Sequence, residues 1–431
     1  MRNVLVPLSC AALFSLGPTV ASAAPEDGRP VADPSSSVAA SGAAARLAPL
    51  TLSVAIERAM SAHPRLRAAV LDVEASDGAV QQAALPPNPS LAFEQEDTRR
   101  DTRTVTVLLS QPLEVGGQRA ARTALARQGR EVARADLDAL RAEVRADVVQ
   151  AFFSALIAQE RVSAATESLR IAGSGADMTA RRVAAGKLSP IDETRARVAL
   201  ATARVELRQA EAERVAARHA LALATGQEEA AFVTLDGGAD SLPGLPDEAD
   251  LARRLSDAPT LRRSRLEVDR AQAAYELERA RRFPDVTVSL GAKRSQELGR
   301  SQAVIGVSMP LPVFDRNQGA QREALKRRQA AEAMAEAQAY RLRAEVLSAA
   351  VELRARVDEI DALRRDVLPG AREAHAAAMR GFELGKFGFL DVLDAQRTWL
   401  QARMQWLDAL MKAHRANAEL ERRLGAPTQQ P

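Results

Sequence analysis

The sequence predicts a mainly α-helical protein that carries four short β-strands and is organised as two tandem structural repeats. Composition is the first observation, because Ala, Arg, Leu and Glu dominate long stretches while aromatic residues are only 3% of 431. This bias favours long helices over a β-sandwich or an α/β sheet. The second is four segments with alternating apolar and polar residues, and the third is a set of landmarks that recurs after about 200 residues.

The landmarks of the first half return in the same order in the second half. Pro64 matches Pro259 with an offset of 259 − 64 = 195, and the "SQPLEV" and "SMPLPV" segments match with an offset of 198. The turns that begin at Gly186 and Gly385 match with an offset of 385 − 186 = 199. Chance similarity between Ala-rich helices would not preserve this order. We therefore predict one repeat over residues 50–226 and another over 248–425, joined by a linker at 227–247.

The first 49 residues read as a processing segment and a leader. Residues 1–23 carry Arg2, an apolar run and a small-residue site at Ala21-Ser22-Ala23, which together indicate a signal peptide. Residues 24–49 and 426–431 lack an apolar period and are predicted to be a flexible leader and a flexible tail. The only cysteine, Cys10, lies in the signal peptide, so we expect an exported chain without disulfides or Cys-ligated metal.

Each repeat opens with a predicted helix, over Leu52–Ala84 in the first and Glu248–Arg282 in the second. Prolines at positions 86–87 and at 284 are expected to stop these helices.

Two strands follow in each repeat. They are "SLAFEQE", "TRTVTVLLSQ", "DVTVSLGAK" and "QAVIGVSMP", and each places its apolar residues on one face. Four such strands cannot bury that face within one chain, and membrane barrels close with about eight strands or more. Three chains would supply 3 × 4 = 12 strands around an aqueous lumen, whereas two would give eight around a filled interior. A small soluble sheet on a helical rod is the alternative.

A very long helix then follows in each repeat, over about Gln118–Ala185 and Gly319–Leu384. Each would extend on the order of 100 Å if straight. Gly173 with Gly175, and Pro369 with Gly370, are expected to bend these helices. After a Gly-Lys turn, a further helix is predicted to run to Thr225 in the first repeat and to Leu424 in the second.

Four segments resemble the TolC-like outer-membrane efflux proteins. They are "LTLSVAIERAMSAHPRLRAA" at the start, "FELGKFGFLDVLDAQRTWLQAR" at the second turn, and the strand-to-helix passages "LLSQPLEVGGQRAAR" and "MPLPVFDRNQGAQREA". The passages resemble the heavy-metal, CzcC/CusC-like branch. The resemblance covers nearly all of the chain after about residue 49, although the lipid-anchored N-terminal cysteine of some members is not expected here.

The resemblance implies a homotrimer in which each chain gives four barrel strands and long α-barrel helices. Its implied partners are outer-membrane lipid, a periplasmic membrane-fusion adaptor and an inner-membrane resistance-nodulation-division pump. The implied function is an exit duct, with heavy-metal cations as cargo. A duct for drugs or a secreted protein stays open as an alternative, as does a periplasmic coiled-coil scaffold or adaptor.

Three aspartates are the candidate periplasmic gate. The resemblance matches Asp391 and Asp394 to the aspartates that ring the closed entrance in the family, and Asp192 to a first-repeat aspartate near that gate. Arg195 and Arg397 are candidate partners. The alternative is that Asp192 and Asp391 stabilise the first turn of a helix by offsetting its dipole.

Eight residues form the two turns, and the resemblance implies that these tips meet the adaptor. They are Gly186, Lys187, Leu188, Ser189, Gly385, Lys386, Phe387 and Gly388. The alternative is a pair of tight turns that need glycine for their backbone conformation.

Other classes of function find no support in the sequence. The 59 basic and 56 acidic residues are interspersed, which is typical of solvated helix faces rather than of nucleic-acid binding. The four histidines are scattered without metal-ligand spacing, and no nucleophile-base arrangement or phosphate loop is present. We therefore predict no enzymatic activity, no cofactor and no bound metal centre.

Overall fold

The computed structural model describes residues 49–228, 234–238 and 240–425. The predicted signal peptide, nearly all of the leader, part of the linker and the C-terminal tail lie outside the described residues. Within the part of the chain that is described, no helix is both long and apolar enough to cross a membrane.

The two repeats have the same order of elements: a helix pair, a strand hairpin and a helical hairpin. The first repeat contains α1 Leu52–Ala62, α2 Pro64–Ala84, β1 Ser90–Glu96, β2 Thr104–Leu113, α3 Gln118–Ala184 and α4 Pro190–Ala224. The second contains α5 Glu248–Ser256, α6 Pro259–Ala280, β3 Val286–Ser295, β4 Arg300–Ser308, α7 Gln318–Ala362, a π-helical segment Leu363–Val367, α8 Leu368–Glu383 and α9 Phe389–Leu424. The predicted mainly α architecture with tandem repeats is confirmed.

The prediction of one continuous opening helix in each repeat is wrong. His63 adopts an extended conformation and Pro64 begins a second helix, as Ala258 and Pro259 do in the other repeat. Proline disfavours helical geometry in the residue before it and has no N–H to donate, so it fits the first position of a helix. His63 Nδ1 accepts a hydrogen bond from the Arg65 N–H at 3.2 Å. Burial and the nearby Arg65 charge lower the pKa of His63, which favours the neutral, accepting ring.

These breaks allow pairs of helices to stack end to end. Gly226 ends the α4 column with φ 74°, and a Cβ on it would lie 2.9 Å from His63 Cα, at the start of α2. Gly425 ends α9 with φ 70°, and its Cβ would collide with the ring of Pro259, at the start of α6. Both the backbone conformation and the close approach require glycine. The contacts therefore join α4 to α2 and α9 to α6.

The stacked helices form four neighbouring columns. Column α2/α4 packs against α3, α3 packs against column α6/α9, and α6/α9 packs against column α7/α8 with its π segment. The largest buried side chains lie in the shared core of these columns, and include Phe152, Leu156, Ile157, Leu353, Leu407 and Leu410. Column α2/α4 and column α7/α8 are therefore the two outer columns.

The outer columns carry nearly all the exposed large apolar side chains of the long helices. They are Val70, Leu71, Ile191, Val198, Val205, Val215 and Leu223 on one side, and Met334, Tyr340, Leu347, Val351 and Val367 on the other. Among the described residues, α3 and α6 expose none and α9 exposes only Leu390. The unsatisfied apolar surface of the helices is thus confined to the two free flanks.

The second long helix is interrupted where a bend was predicted, and the first is not. Leu368 N–H bonds to Leu363 O, five residues back, immediately before Pro369. A π turn accommodates the missing N–H and the bulk of the proline ring. In the first repeat α3 runs as one continuous α-helix through Gly173 and Gly175, so no break accompanies the bend predicted there, and that bend stays a prediction. Glycine lowers helix propensity but still donates its N–H, so the packed neighbours can keep it helical.

The four strands form one antiparallel sheet in the order β1-β2-β3-β4. The register aligns Leu91, Leu109, Leu290 and Ile305 in one row, and Phe93, Val107, Ala292 and Ala303 in the next. Paired residues share a face, so the four predicted apolar faces are confirmed and combine into one. Leu91 and Ile305 on this face are 74% and 76% exposed. The opposite face is mainly polar, although Leu108 and Val304 also lie on it, and it carries a 2.8 Å hydrogen bond between the Ser110 and Ser289 hydroxyls.

Candidate functional site

The first turn joins α3 to α4 through a compact glycine-dependent cap. Gly186 has φ 68°, its N–H bonds to Val183 O at 2.9 Å, and Lys187 N–H bonds to Arg182 O at 2.8 Å. This pair of bonds satisfies the last carbonyls of α3. Ser189 Oγ then accepts a hydrogen bond from the Ile191 N–H at 3.4 Å, which begins α4.

The second turn repeats the geometry but begins its outgoing helix differently. Gly385 has φ 73°, and Lys386 N–H bonds to Gly381 O at 2.8 Å. Gly388 has no side chain with which to cap α9. The Asp391 carboxylate instead accepts a hydrogen bond from the Gly388 N–H at 2.8 Å. Asp391 therefore has a local capping role of the kind that the sequence left open.

A small apolar cluster packs the two hairpins against each other just behind the turns. Its buried members come from α3, α4, α8 and α9, and are Ala176, Ala196, Ala378, Phe382, Phe389 and Val392. Leu188 is partly buried against this cluster. The cluster is separate from the main core, so the turns form a distinct end of the helical hairpins.

Arg182 links the first hairpin to the second and was not identified from the sequence. Its guanidinium carbon lies 4.2 Å from the centroid of the Phe382 ring. Its Nη2 atom donates to Phe382 O at 2.8 Å and to Glu383 O at 3.2 Å. A cation on the terminal carbonyls of α8 is favoured by the helix dipole. Arg182 is therefore a direct polar tie between the two turns.

Aligning the two repeats shows that the residue making this tie differs between them. An offset of 199 places Arg182 opposite Gly381, and Leu188 opposite Phe387. The Phe387 ring occupies the space that a Cβ on Gly381 would need. The first turn thus has a large side chain at both positions, whereas the second has glycine at one and phenylalanine at the other. Phe387 remains 49% exposed.

The remaining predicted tip residues lie on the surface. Exposed are Gly186, Lys187, Ser189, Gly385, Lys386 and Gly388.

The three candidate gate aspartates occupy different environments. Asp192 lies 3.7 Å from Arg195 Nη1, and its side chain is 21% exposed. Asp391 and Asp394 are exposed. Asp394 lines a groove of about 580 Å³ between α4 and α9, together with Arg195 and Arg397, whereas Asp192 and Asp391 do not line it. The structure thus brings Asp394 and Arg195 of opposite hairpins to one groove.

Side chains that could ligate soft metals are used for packing in this region. Met404 and Met411 pack against the main core, and the His375 ring stacks on Trp399 with centroids 5.5 Å apart. Among the residues with described positions, no group of three or more His, Cys, Asp or Glu side chains is placed to hold a metal ion.

We predict that Arg182→Ala loosens the contact between the turns. Hydrogen bonds from a charged donor contribute about 1.5–3 kcal/mol, so their loss should broaden the distance between the two tips. Spin labels at Lys187→Cys and Lys386→Cys, in protein diluted with unlabelled chain, would report this distance by pulsed electron paramagnetic resonance. Arg181→Ala removes an exposed neighbouring charge and is the control. An identical distribution for Arg182→Ala and Arg181→Ala would contradict the role of the tie.

Comparison with known sequences identifies a family with this architecture. The pattern of the outer membrane efflux protein family matches residues 55–227 and 251–426. The chain is 43% identical to the cobalt-zinc-cadmium resistance protein CzcC of Cupriavidus metallidurans, over 99% of this chain and 100% of that protein. It is 30% identical to Protein CyaE of Bordetella pertussis over 84% of this chain and 81% of CyaE. The nickel-cobalt-cadmium resistance protein NccC of Alcaligenes xylosoxydans is 25% identical over 65% of each chain.

Solved structures support the same fold. Crystal structures of CusC superpose with a TM-score of 0.74 at 20% identity, covering 86% of this chain and 90% of CusC. Those CusC structures concern the conformational changes that accompany folding and transmembrane channel formation. At this identity the likeness concerns the fold alone, which is TolC-like. Since the family pattern matches both repeats and CzcC aligns along almost the whole sequence, the chain belongs to the outer membrane efflux protein family.

Proposed function

We propose that this chain is the outer-membrane exit duct of a tripartite resistance-nodulation-division efflux system, acting as a homotrimer. The continuous apolar face across all four strands carries this proposal. An exposed apolar sheet face with open edge strands is stable only where lipid covers the face and other strands cover the edges. Three chains would close a barrel of 3 × 4 = 12 strands. A periplasmic scaffold or adaptor does not require a sheet face that contacts lipid.

The two outer helical columns support closure into a ring. On α4, the exposed side chains of Ile191, Val198 and Val205 recur every seven residues and form a stripe. Such spacing is typical of a helix that packs along another helix. The opposite flank carries the exposed Tyr340 and Leu347 of α7, also seven residues apart. Packing one flank on the opposite flank of the next chain is a heterologous contact, which closes a ring when repeated with rotation.

The turns are proposed to meet a periplasmic membrane-fusion adaptor. They are the ends of the helical hairpins farthest along the chain from the sheet, and six of their eight residues are exposed glycine, lysine or serine. The half-exposed Phe387 supplies an apolar contact in an otherwise polar tip. The duct itself is passive, so the energy for export comes from the inner-membrane pump.

Asp192, Asp391 and Asp394 are proposed to form the periplasmic gate. Three-fold symmetry would place three copies of each aspartate around one axis. Such a ring attracts cations and is repulsive within itself unless it is neutralised. The capping bond of Asp391 and the ion pair of Asp192 with Arg195 fix these side chains close to the turns. Local stabilisation and gating are thus compatible functions of the same carboxylates.

The proposed cargo is a heavy-metal cation. The name of CzcC specifies cobalt, zinc and cadmium resistance, and its similarity extends over nearly the whole chain. The name of NccC likewise specifies nickel, cobalt and cadmium. The alternative cargo is a drug or a secreted protein. CyaE is relevant here because it is also similar over most of the chain and its name specifies no metal.

We expect Val198→Asp with Val205→Asp to abolish the trimer. Burying these carboxylates between neighbouring helices would cost several kcal/mol at each interface. Native mass spectrometry of detergent-solubilised protein would show monomers in place of trimers. The control is Arg204→Asp, which puts the same side chain on the polar face of α4. Trimers of unchanged abundance in the double variant would overturn the proposed contact.

Neutralising the second-repeat aspartates should weaken block by trivalent cations. For Asp391→Ala with Asp394→Ala, the half-blocking concentration of hexamminecobalt(III) in planar bilayers is expected to rise about tenfold, equivalent to ~1.4 kcal/mol. Asp72→Ala, an exposed aspartate of α2, is the control. Channels that conduct normally and retain full sensitivity to the blocker would remove both residues from the gate.

Deletion of the encoding gene tests the cargo. A strain that retains its pump and adaptor should lose tolerance to cobalt, zinc or cadmium, and should recover it when the gene is restored. Growth in graded metal is the measurement, with detergents and dyes as comparison toxicants. Unchanged metal tolerance combined with lost tolerance to organic toxicants would favour the drug-export alternative.

A further inference from the structure

We propose that a groove over α9 binds the polymer of the periplasmic cell wall, an N-acetylated glycan that carries short zwitterionic peptides. This inference rests on the proposed function, which places the helical hairpins in the periplasm. The groove lies between α3 and α8 and has a volume of about 1400 Å³. We call it the tryptophan groove, because Trp399 and Trp406 of α9 line it on either side of Arg403.

The tryptophan groove lies on the side of α9 away from the candidate gate. Trp399 follows Asp394 by five residues, which at about 100° per residue places the two side chains on nearly opposite sides of the helix. The smaller groove that Asp394 lines shares no residue with the tryptophan groove. In the proposed trimer Asp394 faces the tunnel axis, so the tryptophan groove faces the surrounding periplasm.

The two tryptophans give the groove a surface on which sugar rings can stack. Trp399 and Trp406 are seven residues apart, so their rings recur after about 10 Å along α9, which is about the length of a disaccharide. The His375 ring of α8 lies within 12° of parallel to Trp399 and holds it in place. Both indoles are half-buried. The face of an aromatic ring is electron-rich and attracts the polarised C–H bonds of a pyranose ring.

Two ring nitrogens of the groove are not bonded within the chain. His375 Nε2 and Trp406 Nε1 have no hydrogen-bond partner among the residues that the structure describes. Buried polar groups are bonded in the great majority of cases, so these rings have hydrogen-bonding capacity that the chain itself does not use. A ligand rich in hydroxyl and amide groups would use that capacity, whereas an apolar ligand would not.

The charges along the groove are balanced in sign. Four arginines and four carboxylates line it: Arg170, Arg372, Arg380 and Arg403 with Glu160, Glu167, Asp240 and Glu373. Arg170 and Arg403 lie within 4 Å of carboxylates of α3. Arg372, Arg380 and Glu373 are exposed on α8, and none forms an ion pair within the described part of the chain. Free charges of both signs complement a peptide that carries both carboxylates and amines, and they disfavour a polyanion.

A glycan with peptide branches fits these properties better than the other occupants. The volume exceeds the ~300–1,000 Å³ of small-molecule sites, so an extended ligand is indicated. A partner helix would insert an apolar face into an apolar groove, whereas charged side chains line much of this one. A duct that extends from the outer membrane into the periplasm also passes through the wall polymer, which is therefore present at this face.

Co-sedimentation with isolated cell-wall sacculi tests the site. The full chain in detergent should sediment with sacculi, and a soluble disaccharide-tetrapeptide should release it. Arg372→Glu with Arg380→Glu should weaken this binding about tenfold, because charge-assisted hydrogen bonds to ligand carboxylates are replaced by repulsion. The control is Arg204→Glu with Arg208→Glu, which reverses two exposed arginines of α4 and should bind like the unchanged chain. Equal binding by the two double variants, or no binding by the unchanged chain, would overturn the proposal.

Trp399→Leu tests the aromatic surface, because leucine keeps an apolar contact with His375 but has no aromatic face. The Kd for the disaccharide-tetrapeptide, measured by isothermal titration calorimetry, should rise about fivefold. An unchanged Kd would refute the stacking surface, and the exposed arginines still test the site if this variant fails to fold. Conductance in planar bilayers separates the inference from the proposed function. Conducting trimers that do not bind sacculi would refute the tryptophan groove alone, whereas a chain that binds sacculi without conducting would refute the duct alone.

Discussion

The constraint on which the rest of the structure depends is an apolar sheet face that one chain cannot cover. The antiparallel register joins four alternating strands into a single surface of leucine, isoleucine, valine and phenylalanine side chains. No helix of the described chain packs on that face, and β1 and β4 leave their outer edges without a partner strand in the part that is described. Removing such a surface from water is the main driving force for association with other chains or with lipid. In the proposed trimer, further copies of the chain and a lipid phase would cover this surface together.

The helical part, like the sheet, leaves apolar surface that one chain does not cover. The two inner columns bury their apolar side chains, whereas the two outer columns leave apolar side chains exposed on their free flanks. A neighbouring chain could pack on those flanks. Two glycine-to-proline contacts build two of the columns. Gly226 against His63-Pro64 and Gly425 against Pro259 join four helices of moderate length into two long columns, which lie beside α3 and the α7/α8 column. Each contact lies within one repeat, so the duplication reproduces the same joint twice.

The repeats differ where function is proposed to reside. The second turn exchanges the Arg182 and Leu188 arrangement for Gly381 and Phe387, begins its outgoing helix with Asp391, and adds Asp394 beside the α4–α9 groove. Its incoming helix carries the π segment before Pro369, whereas α3 is uninterrupted. In a tunnel built from alternating copies of the two hairpins, the second-repeat hairpins would carry both Asp391 with Asp394 and the π segment.

The sequence by itself determined the repeats, the identity of the strands and the position of both turns. These features depend on local rules: period-two alternation, the backbone conformation that glycine allows, and the stop signal of proline. The same rules contain the breaks at Pro64 and Pro259, which the helix prediction overlooked. Only the tertiary structure decided which strands pair, that Arg182 caps the helix of the other hairpin, and that Asp394 shares a groove with Arg195. Those contacts join residues that are distant along the chain, and no local preference of either partner specifies the other.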